Sequence, residues 1–453
     1  MGYSKKFSYL TEGQHFDAST HVIVTFYMEA KDDFNRCAEA VAAESSVGTW
    51  TDTEGLDEAL FMKYAARVFD IEKFDQKSGI IKVAYPLALF ETDNIPQLLA
   101  DVAGNVFGMR ELANLRVRDV ELPESFVRAN KGPAFGIPGI RETLGIYDRP
   151  LLGTIIKPKV GLPTSEHVRI AYEAWVGGVD IVKDDENLSD QDFNPFYERV
   201  NQTLEARRKA ERVTGQKKLY CPNISARISE MYARAKFVRE MGGRAAMIDI
   251  VTTGYSGVQF MRDQQMNLIL HGHRAMHGAF THSDKHGIAM LVFAKLARLA
   301  GIDQLHTGTV VGKMEGTEEE VTKIDTFLRG DWFGMKPTMP IASGGLHPGH
   351  LPRLVEILGK DVIINLGGGI HGHPDGVSAG AKAARQALDA VLEGKTLSEY
   401  SQKHPELAGA LKKWGEFGKQ EGKESEKGTY VHALVKSPAL SVAKRSKTDV
   451  LKL

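Results

Sequence analysis

Hydrophobic and polar positions follow one pattern near the start of the chain and a different pattern after a stretch rich in glycine and proline at residues 131–139. In the first part, alternating segments predict strands, and segments with helical spacing predict helices. The predicted strands are 21–30, 61–70, 78–86 and 115–120, and the predicted helices are 33–45 and 95–107. Strands and helices mixed in this order predict a small α+β sandwich of the ferredoxin-like kind.

In the second part, short apolar runs alternate with polar or glycine-rich turns and with helix-like segments. The runs that we interpret as strands are 151–157, 179–183, 219–223, 246–250, 268–273, 304–307, 340–343 and 362–366. Strand–helix units repeated in this way predict a (β/α)8 TIM barrel. We therefore expect an N-terminal α+β domain at 1–132, a catalytic barrel at 133–411 and a C-terminal extension at 412–453.

Composition and charge narrow the class of protein. The chain has 453 residues, of which 42% are hydrophobic and 25% charged, as is typical of globular proteins. Lys and Arg total 57 against 58 Asp and Glu, so no basic excess predicts binding to nucleic acid. The first residues lack the apolar core of a signal peptide, and no apolar run reaches membrane-spanning length, so we expect no membrane association. Two cysteines are too few for a disulfide framework, which favours a cytoplasmic location.

The ends of the predicted barrel strands carry most of the candidate chemistry. In a TIM barrel the active site lies at the carboxyl ends of the strands. These ends deliver ionisable groups, hydrogen-bonding groups or glycine-rich backbone, namely Lys157, Lys159, Asn223, Asp249, His271, His273, Arg274, His306, Ser343 and the glycines at 344–345 and 367–369. Chance would not readily align so many polar groups on one rim, so we predict an active site there.

The end of the second barrel strand, KDDE at residues 183–186, combines one lysine with three carboxylates. Side chains alternate along a strand, so Lys183 and Asp185 should project to one face, with Glu186 beyond them and Asp184 pointing away. Clustered carboxylates suit a hard cation such as Mg²⁺, but an ordinary lysine among them would repel it. A lysine modified to a negatively charged carbamate would remove this conflict. Taken alone, such a run is more often a solvated turn.

Other rim motifs allow more than one interpretation. Paired glycines are more often turn residues than phosphate cradles, although those after strands seven and eight occupy the recurrent phosphate site of barrels. His271 and His273 have the spacing of a metal pair, but we favour His273 and Arg274 facing the site, with His271 structural. Lys313, between two glycines in GKMEG at 312–316, is expected on a flexible loop able to close over a substrate.

Several separated motifs along the chain match one known pattern. They are ESSVGTW at 44–50, GTIIKPK at 153–159, KDDE at 183–186, HRAMH at 273–277, GKMEG at 312–316, SGG at 343–345 and GGG at 367–369. In this order they resemble the motifs of ribulose-1,5-bisphosphate carboxylase/oxygenase (RuBisCO) large subunits, over nearly the whole chain. The segments KDDENL at 183–188 and GLHPG at 345–349 resemble those of the archaeal type, form III, although Asn365 stands where glutamine is expected in that group.

The resemblance implies a Mg²⁺-dependent lyase that is also a monooxygenase. It would enolise ribulose 1,5-bisphosphate, add CO₂ or O₂, and cleave the adduct to two 3-phosphoglycerate, or to 3-phosphoglycerate and 2-phosphoglycolate. An activating CO₂ would carbamylate Lys183, and the carbamate, Asp185 and Glu186 would ligate Mg²⁺. The carbamate would then remove the C3 proton, and Lys157, tuned by Lys159, would act as a later acid or base.

The resemblance also assigns the remaining site residues. His273 would assist proton movements, and Lys313 would stabilise the carboxylate that forms from CO₂. The substrate-binding set would be Arg274 and His306 at one phosphate, Thr49, Trp50, Gly345, Gly367 and Gly368 at the other, Ser343 at a hydroxyl with Gly344 beside it, Glu44 paired with Lys313, and Asn105 at the substrate or metal.

In this family N-terminal residues complete the active site of the neighbouring subunit. The resemblance therefore implies a homodimer or an assembly of dimers, without a small subunit. The nearest alternative is a RuBisCO-like protein that enolises or isomerises a related phosphorylated sugar without fixing CO₂. Such proteins typically lose several of these positions, whereas Thr49, Trp50, His306 and Lys313 are all present here. A catalytically silent assembly or storage subunit would have no reason to keep a full set of rim residues.

Overall fold

The structure is a computed structural model that describes residues 7–48, 54–311 and 317–417. Within these ranges the strands are β1 (His21–Ala30), β2 (Arg67–Lys73), β3 (Ser78–Pro86), β4 (Leu112–Glu121), β5 (Leu151–Ile155), β6 (Ile181–Lys183), β7 (Leu219–Cys221), β8 (Ala245–Asp249), β9 (Ile269–His273), β10 (Gly287–Ile288), β11 (Gln304–Gly308), β12 (Met339–Ser343) and β13 (Ile363–Asn365).

The helices in the same ranges are α1 (Phe34–Glu44), α2 (Glu58–Tyr64), α3 (Ile95–Ala103), α4 (Glu124–Ala129), α5 (Gly136–Leu144), α6 (Thr164–Gly177), α7 (Phe196–Thr214), α8 (Ile228–Glu240), α9 (Tyr255–Asp263), α10 (Gly278–Thr281), α11 (Met290–Ala300), α12 (Glu318–Arg329), α13 (Leu351–Leu358), α14 (Gly368–His371), α15 (Val377–Leu392), α16 (Leu397–Ser401) and α17 (Pro405–Trp414). Short 3-10 helices cover Leu87–Leu89, Asn105–Gly108 and Pro348–His350. Among the described residues, no helix combines the length and the apolar composition that a membrane-spanning helix needs.

The N-terminal domain is a sheet in the order β10-β4-β1-β3-β2, with β1 paired antiparallel to both β3 and β4. Every second residue of β1 from Val22 to Met28 is fully buried, because successive side chains of a strand point to opposite faces. Helix α1 contacts the sheet and buries Phe34 and Val41. Its first turn is capped by Asp33, whose carboxylate accepts from the Arg36 N–H. The predicted α+β domain is confirmed.

Two N-terminal predictions need correction. Residues 61–64, predicted as the start of a strand, belong to helix α2, and β2 begins only at Arg67. The Asp57 carboxylate accepts from the Leu60 N–H and starts this helix, which buries Phe61 and exposes Leu60. The helix predicted at 95–107 ends at Ala103 and is followed by a separate 3-10 helix.

The second sheet is a barrel of eight parallel strands in the order β7-β6-β5-β13-β12-β11-β9-β8. All of the predicted barrel strands are present, with ends shifted by no more than two residues. A bridge between Asn223 and Met247 connects the two edge strands, β7 and β8, so the barrel is nearly closed. Apolar side chains such as Leu151, Leu219 and Ile363 fill its lower interior.

Buried ion pairs lie at the amino ends of the strands, opposite the predicted site. The Arg149 guanidinium binds both carboxylate oxygens of Asp180 at 2.7 and 2.8 Å. Arg262 binds Asp303 at 2.7 Å, and the same aspartate accepts from the backbone N–H groups of Phe135 and Gly136. Each buried charge is thus paired and hydrogen-bonded, as burial requires.

A link between the two sheets was not predicted. Strand β10 lies after β9 in the chain, yet it pairs in parallel with β4 of the N-terminal sheet. Nearby, the Lys285 ammonium binds Glu29 of β1 at 2.6 Å. A strand of two residues gives no periodic signal, so sequence patterns do not reveal it. Helix α17 crosses the predicted boundary at 411/412, and residues after 417 lie outside the described part, so the domain limits stay a prediction.

Candidate active site

A buried lysine lies at the centre of the rim. Lys183 is the last residue of β6 and is only 1% exposed. Its Nζ donates to the carbonyl of Asp184 at 2.7 Å and lies 3.9 Å from Glu186 Oε2. Burial lowers the pKa of Lys183, and the carboxylates around it only partly oppose this effect. The amine therefore loses its proton more readily than an ordinary surface lysine.

Two further lysines hold the neighbouring carboxylates. Lys157, just beyond β5, donates from Nζ to Asp185 Oδ2 at 2.9 Å. Lys159 donates to Glu186 Oε1 at 3.1 Å. Burial acts to raise the pKa of Glu186, but His273 and the nearby lysines outweigh it and lower the pKa to about 2. Each carboxylate therefore contacts a lysine ammonium group, which is an arrangement that a metal ion could take over.

Asp184 belongs to a different environment from its two neighbours. It is fully buried behind the strand, where Oδ1 accepts from the Tyr220 hydroxyl at 2.6 Å and Oδ2 accepts from Arg199 Nε at 3.2 Å. The Asn223 backbone N–H adds a third bond to this carboxylate. Despite its burial, these partners, with His167, hold the pKa of Asp184 well below its usual range. Asp184 thus supports the strand end from behind.

His273 lies beside the carboxylate cluster. Its Nε2 is 3.5 Å from Glu186 Oε2, and its Nδ1 is 3.3 Å from Asp249 Oδ1 at the end of β8. The backbone N–H of Ala275 donates to the same Nδ1 at 3.1 Å. Each ring nitrogen thus lies close to a carboxylate oxygen. The ring can therefore hold or move a proton next to the cluster.

A second group of polar side chains forms the far wall of the rim. His306 Nδ1 lies 2.8 Å from Ser343 Oγ, and its Nε2 lies 2.9 Å from His271 Nε2. His271, which the sequence suggests as structural, is buried beneath His306 and also contacts Gln304. Arg274 is 8% exposed and donates to the carbonyl of Thr307 at 3.0 Å. The far wall thus combines a buried cation with hydroxyl and imidazole groups.

Glycine-rich backbone follows β12 and β13. Gly344 and Gly345 have φ angles of +121° and +74°, which residues with a Cβ adopt only with strain. A Cβ on Gly367 would lie 3.4 Å from Lys157 Cε, and the backbone of Gly369 packs against Leu346. The two glycine-rich segments therefore lie against each other and close to Lys157, as the recurrent phosphate site of barrels requires.

The structure brings most predicted site residues to this one rim. Contacts link Lys157, Lys159, Lys183, Asp185, Glu186, His273, His306 and Ser343, with the glycines beside them. Glu44 ends α1 and Asn105 begins a 3-10 helix, so both belong to the N-terminal domain and not to the barrel. The predictions for Thr49, Trp50 and Lys313 concern positions outside the described residues.

Sequence reasoning missed two residues of the site, the half-buried His371 and the buried Gln304. His371 Nε2 lies 3.1 Å from Thr154 Oγ1, and burial, with the charge of Lys157, lowers its pKa to about 4. Gln304 contacts His271 from the start of β11. Gln304 had a usable signal, because it precedes His306 by two positions on a strand and so shares its face. His371 follows the second glycine run, where no periodicity singles it out.

The donor set fits a hard cation only after modification of the lysine. Within the described residues no group of three or more His, Cys, Asp or Glu side chains is arranged to hold a metal ion. Asp185 and Glu186 supply two carboxylates, and the Lys183 amine lies 3.9 Å from Glu186 Oε2. A carbamate on Lys183 would add a third anionic oxygen ligand, which gives the all-oxygen set that Mg²⁺ prefers.

Two family models match the chain. The N-terminal domain of the ribulose bisphosphate carboxylase large chain matches residues 9–126, and the catalytic domain of the same chain matches residues 136–414. The ribulose bisphosphate carboxylase of Methanocaldococcus jannaschii is 50% identical over 401 residues, which cover 84% of this chain and 94% of the relative. The Pyrococcus abyssi enzyme of the same name is 48% identical over 87% of this chain and 93% of its own.

Solved structures show the same likeness. The octameric RuBisCO of Pyrococcus horikoshii, in complex with sulfate ion, superposes with a TM-score of 0.86 at 46% identity, covering 90% of this chain and 96% of its own. The dimeric archaeal RuBisCO of Hyperthermus butylicus gives a TM-score of 0.84 at 42% identity, covering 90% and 98%. These matches extend over both the N-terminal domain and the barrel. The chain therefore belongs to the ribulose bisphosphate carboxylase (RuBisCO) large-chain family.

Proposed function

We propose that the chain is a Mg²⁺-dependent ribulose-1,5-bisphosphate carboxylase/oxygenase. It would enolise ribulose 1,5-bisphosphate, add CO₂ and, with one water, cleave the adduct to two 3-phosphoglycerate. Addition of O₂ would give 3-phosphoglycerate and 2-phosphoglycolate instead. The observation that carries the proposal is the buried Lys183 near Asp185 and Glu186, each of which is already held by another lysine.

Carbamylation of Lys183 would prepare the site. A neutral amine attacks CO₂ and loses a proton, which gives an anionic carbamate. The burial of Lys183 and the lowered pKa of its amine favour that neutral form. The carbamate, Asp185 and Glu186 would then hold Mg²⁺, which supplies Lewis-acid stabilisation of the enediolate when bound.

The lysines and histidine of the cluster would move the protons. The carbamate oxygen on Lys183 would take the C3 proton. Lys157, whose side chain is 27% exposed and lies against Gly367, would deliver the later proton to the product. His273, whose Nε2 lies 3.5 Å from Glu186 Oε2, would assist transfer between substrate hydroxyls.

Two anion sites would hold the ends of the substrate. Arg274, with His306 beside it, would bind one phosphate, because a guanidinium offers forked donors to phosphate oxygens. Burial lowers the pKa of Arg274, but only to about 10, so it remains a cation at neutral pH. The backbone of Gly345, Gly367 and Gly368 would bind the other phosphate together with Thr49 and Trp50, and Ser343 would bond a substrate hydroxyl with Gly344 beside it.

The remaining predicted residues would come from the loop at 312–316 and from a second subunit. Lys313 would stabilise the carboxylate that forms from CO₂. Glu44 and Asn105 would act at the site of the neighbouring subunit, with Glu44 paired to Lys313. Such sharing requires a homodimer or an assembly of dimers, and the proposed assembly has no small subunit. The related structures from P. horikoshii and H. butylicus, described as octameric and dimeric, support an assembly of this kind.

An activity assay tests the proposal. The purified chain is activated with bicarbonate and Mg²⁺ under anaerobic conditions, and ribulose 1,5-bisphosphate and radiolabelled bicarbonate are then supplied. We expect acid-stable label in 3-phosphoglycerate, and we expect chelation of Mg²⁺ before activation to abolish it. Folded protein that leaves no label in 3-phosphoglycerate would contradict the proposed function.

A further inference from the structure

A line of hydrogen-bonded side chains runs through the barrel wall and ends at Ser343. Gln304 Oε1 lies 2.9 Å from His271 Nδ1, and His271 Nε2 lies 2.9 Å from His306 Nε2. His306 Nδ1 lies 2.8 Å from Ser343 Oγ. The first three residues are at most 3% exposed, so bulk water does not compete for these bonds. We call the four residues the Gln304–Ser343 relay.

The hydrogen bonds of the relay must all run in the same donor-to-acceptor direction. Burial, aided by the nearby cationic groups, lowers the pKa of His271 to about 3 and that of His306 well below its ordinary value. Both rings are therefore neutral near pH 7, and a neutral imidazole has one N–H and one lone pair. The bond between the two Nε2 atoms then contains a single proton. Once one end of the relay is fixed, every other bond must point the same way.

Gln304 fixes that end. Its carbonyl oxygen can only accept, so His271 donates from Nδ1–H and keeps a lone pair on Nε2. His306 must then donate from Nε2–H, which leaves a lone pair on its Nδ1. The Ser343 hydroxyl completes the relay by donating to that Nδ1. The hydroxyl proton is thereby used, whereas the two lone pairs of the oxygen stay available as acceptors.

We propose that Gln304 and His271 are positioning residues that hold the Ser343 hydroxyl as a hydrogen-bond acceptor, so that it receives a bond from a substrate hydroxyl. The part that concerns substrate rests on the proposed function, whereas the direction of the relay does not. An acceptor at this position favours a sugar hydroxyl and disfavours an anionic oxygen, which could offer no proton. Neither residue touches the substrate; both act through His306.

Neutron diffraction from a perdeuterated crystal of the full chain tests the direction without any assay. We expect deuterons on His271 Nδ1 and on His306 Nε2, and a Ser343 deuteron directed at His306 Nδ1. Deuterons on His271 Nε2 and His306 Nδ1 would show the reverse direction, with the Gln304 amide rotated, and would overturn the proposal. A second deuteron on either ring would overturn it as well.

Kinetics of two Gln304 variants test the role. Gln304→Met removes the acceptor at similar size, whereas Gln304→Glu keeps an oxygen acceptor. Loss of one hydrogen bond that forms equally in the bound and transition states raises KM and spares kcat, so we expect KM for ribulose 1,5-bisphosphate to rise roughly fivefold in Gln304→Met. We expect a smaller rise in Gln304→Glu. Gln202→Met, the same substitution on the surface of α7, should match the parent.

The neutron and kinetic experiments together distinguish failure of this inference from failure of the proposed function. A folded Gln304→Met protein with the parental KM, or one in which Gln304→Glu loses as much as Gln304→Met, would overturn the positioning role. Should the parent chain form no 3-phosphoglycerate, the proposed function fails in the parent itself, and the neutron result still decides the direction of the relay.

Discussion

Lys183 and Asp184 are neighbours in sequence, but their side chains serve different purposes. Lys183 faces the rim and lies near Glu186, whereas Asp184 turns back to Arg199 and Tyr220. Strand alternation predicts this split from the sequence. It does not predict the pairing of Lys157 with Asp185, because 28 positions separate them and only the barrel brings them together. Residue types at the site were thus predictable, but their partners were not.

Substitution of Lys183 tests whether the proposed carbamate forms on its amine nitrogen. We expect ¹³C-bicarbonate with Mg²⁺ to give a carbamate carbon signal by ¹³C NMR in the parent and none in Lys183→Met. Carboxylation should fall by several orders of magnitude, because the variant loses both a metal ligand and the base. Lys209→Met, on the exposed side of α7, is the matched control and should keep both signal and activity. An unchanged carbamate signal in Lys183→Met would refute the assignment.

Substitution of Asp184 should mainly reduce stability, whereas substitution of Asp185 should mainly reduce activity. Asp184→Asn leaves the buried Arg199 with a weakened partner, and we expect it to reduce the free energy of unfolding by about 3 kcal/mol or more. Asp185→Asn removes a proposed metal ligand, and we expect loss of activity with a smaller change in stability. Urea denaturation and the carboxylation assay, run on both variants, measure the two effects. Equal losses of activity in two equally stable variants would contradict these different roles of Asp184 and Asp185.

At the scale of the elements, repeated patterns were predictable and single departures were not. Every barrel strand could be recognised, because apolar runs followed by turns recur through the second domain. The segment at 61–64 was wrongly assigned to a strand, since the Asp57 cap that starts α2 outweighs a short apolar run. Strand β10 was missed, because its pairing with β4 depends on the contact between the two domains.

We expect the amino ends of the barrel strands to contribute to stability and the carboxyl ends to carry the active site, and Arg149→Met tests this difference. The substitution leaves Asp180 buried without its cation, so we expect a loss of about 3–5 kcal/mol in the free energy of unfolding. Because the pair lies at the amino ends of the strands, kcat of the folded fraction at low temperature should stay near that of the parent. Denaturation and steady-state kinetics measure the two quantities. A large fall in kcat with unchanged stability would contradict this difference.

At the scale of the whole molecule, the proposed active site spans two subunits. Glu44 lies in the N-terminal domain, whereas Lys183 lies in the barrel, so variants of the two should complement each other in mixed dimers. In a twofold dimer, one of the two sites of a mixed pair is intact. Random reassociation of Glu44→Gln with Lys183→Met should therefore restore roughly a quarter of the parental sites.

The control for this mixing experiment is the double variant, with both substitutions in one chain. Mixed with either single variant, it should restore no activity, because no site in such dimers is intact. Native mass measurement on the same samples shows whether dimers have exchanged subunits. Exchange without any recovery of activity would contradict the shared site.

Carboxylation itself is the central claim, and the position of an isotope tests it most directly. Ribulose 1,5-bisphosphate, Mg²⁺ and ¹³C-bicarbonate are incubated with the activated chain, and the products are examined by ¹³C NMR. The account predicts 3-phosphoglycerate labelled only at its carboxyl carbon, in one of the two molecules formed from each sugar. Consumption of the sugar without label in 3-phosphoglycerate, as an enolase or isomerase of the RuBisCO-like kind would give, would contradict it.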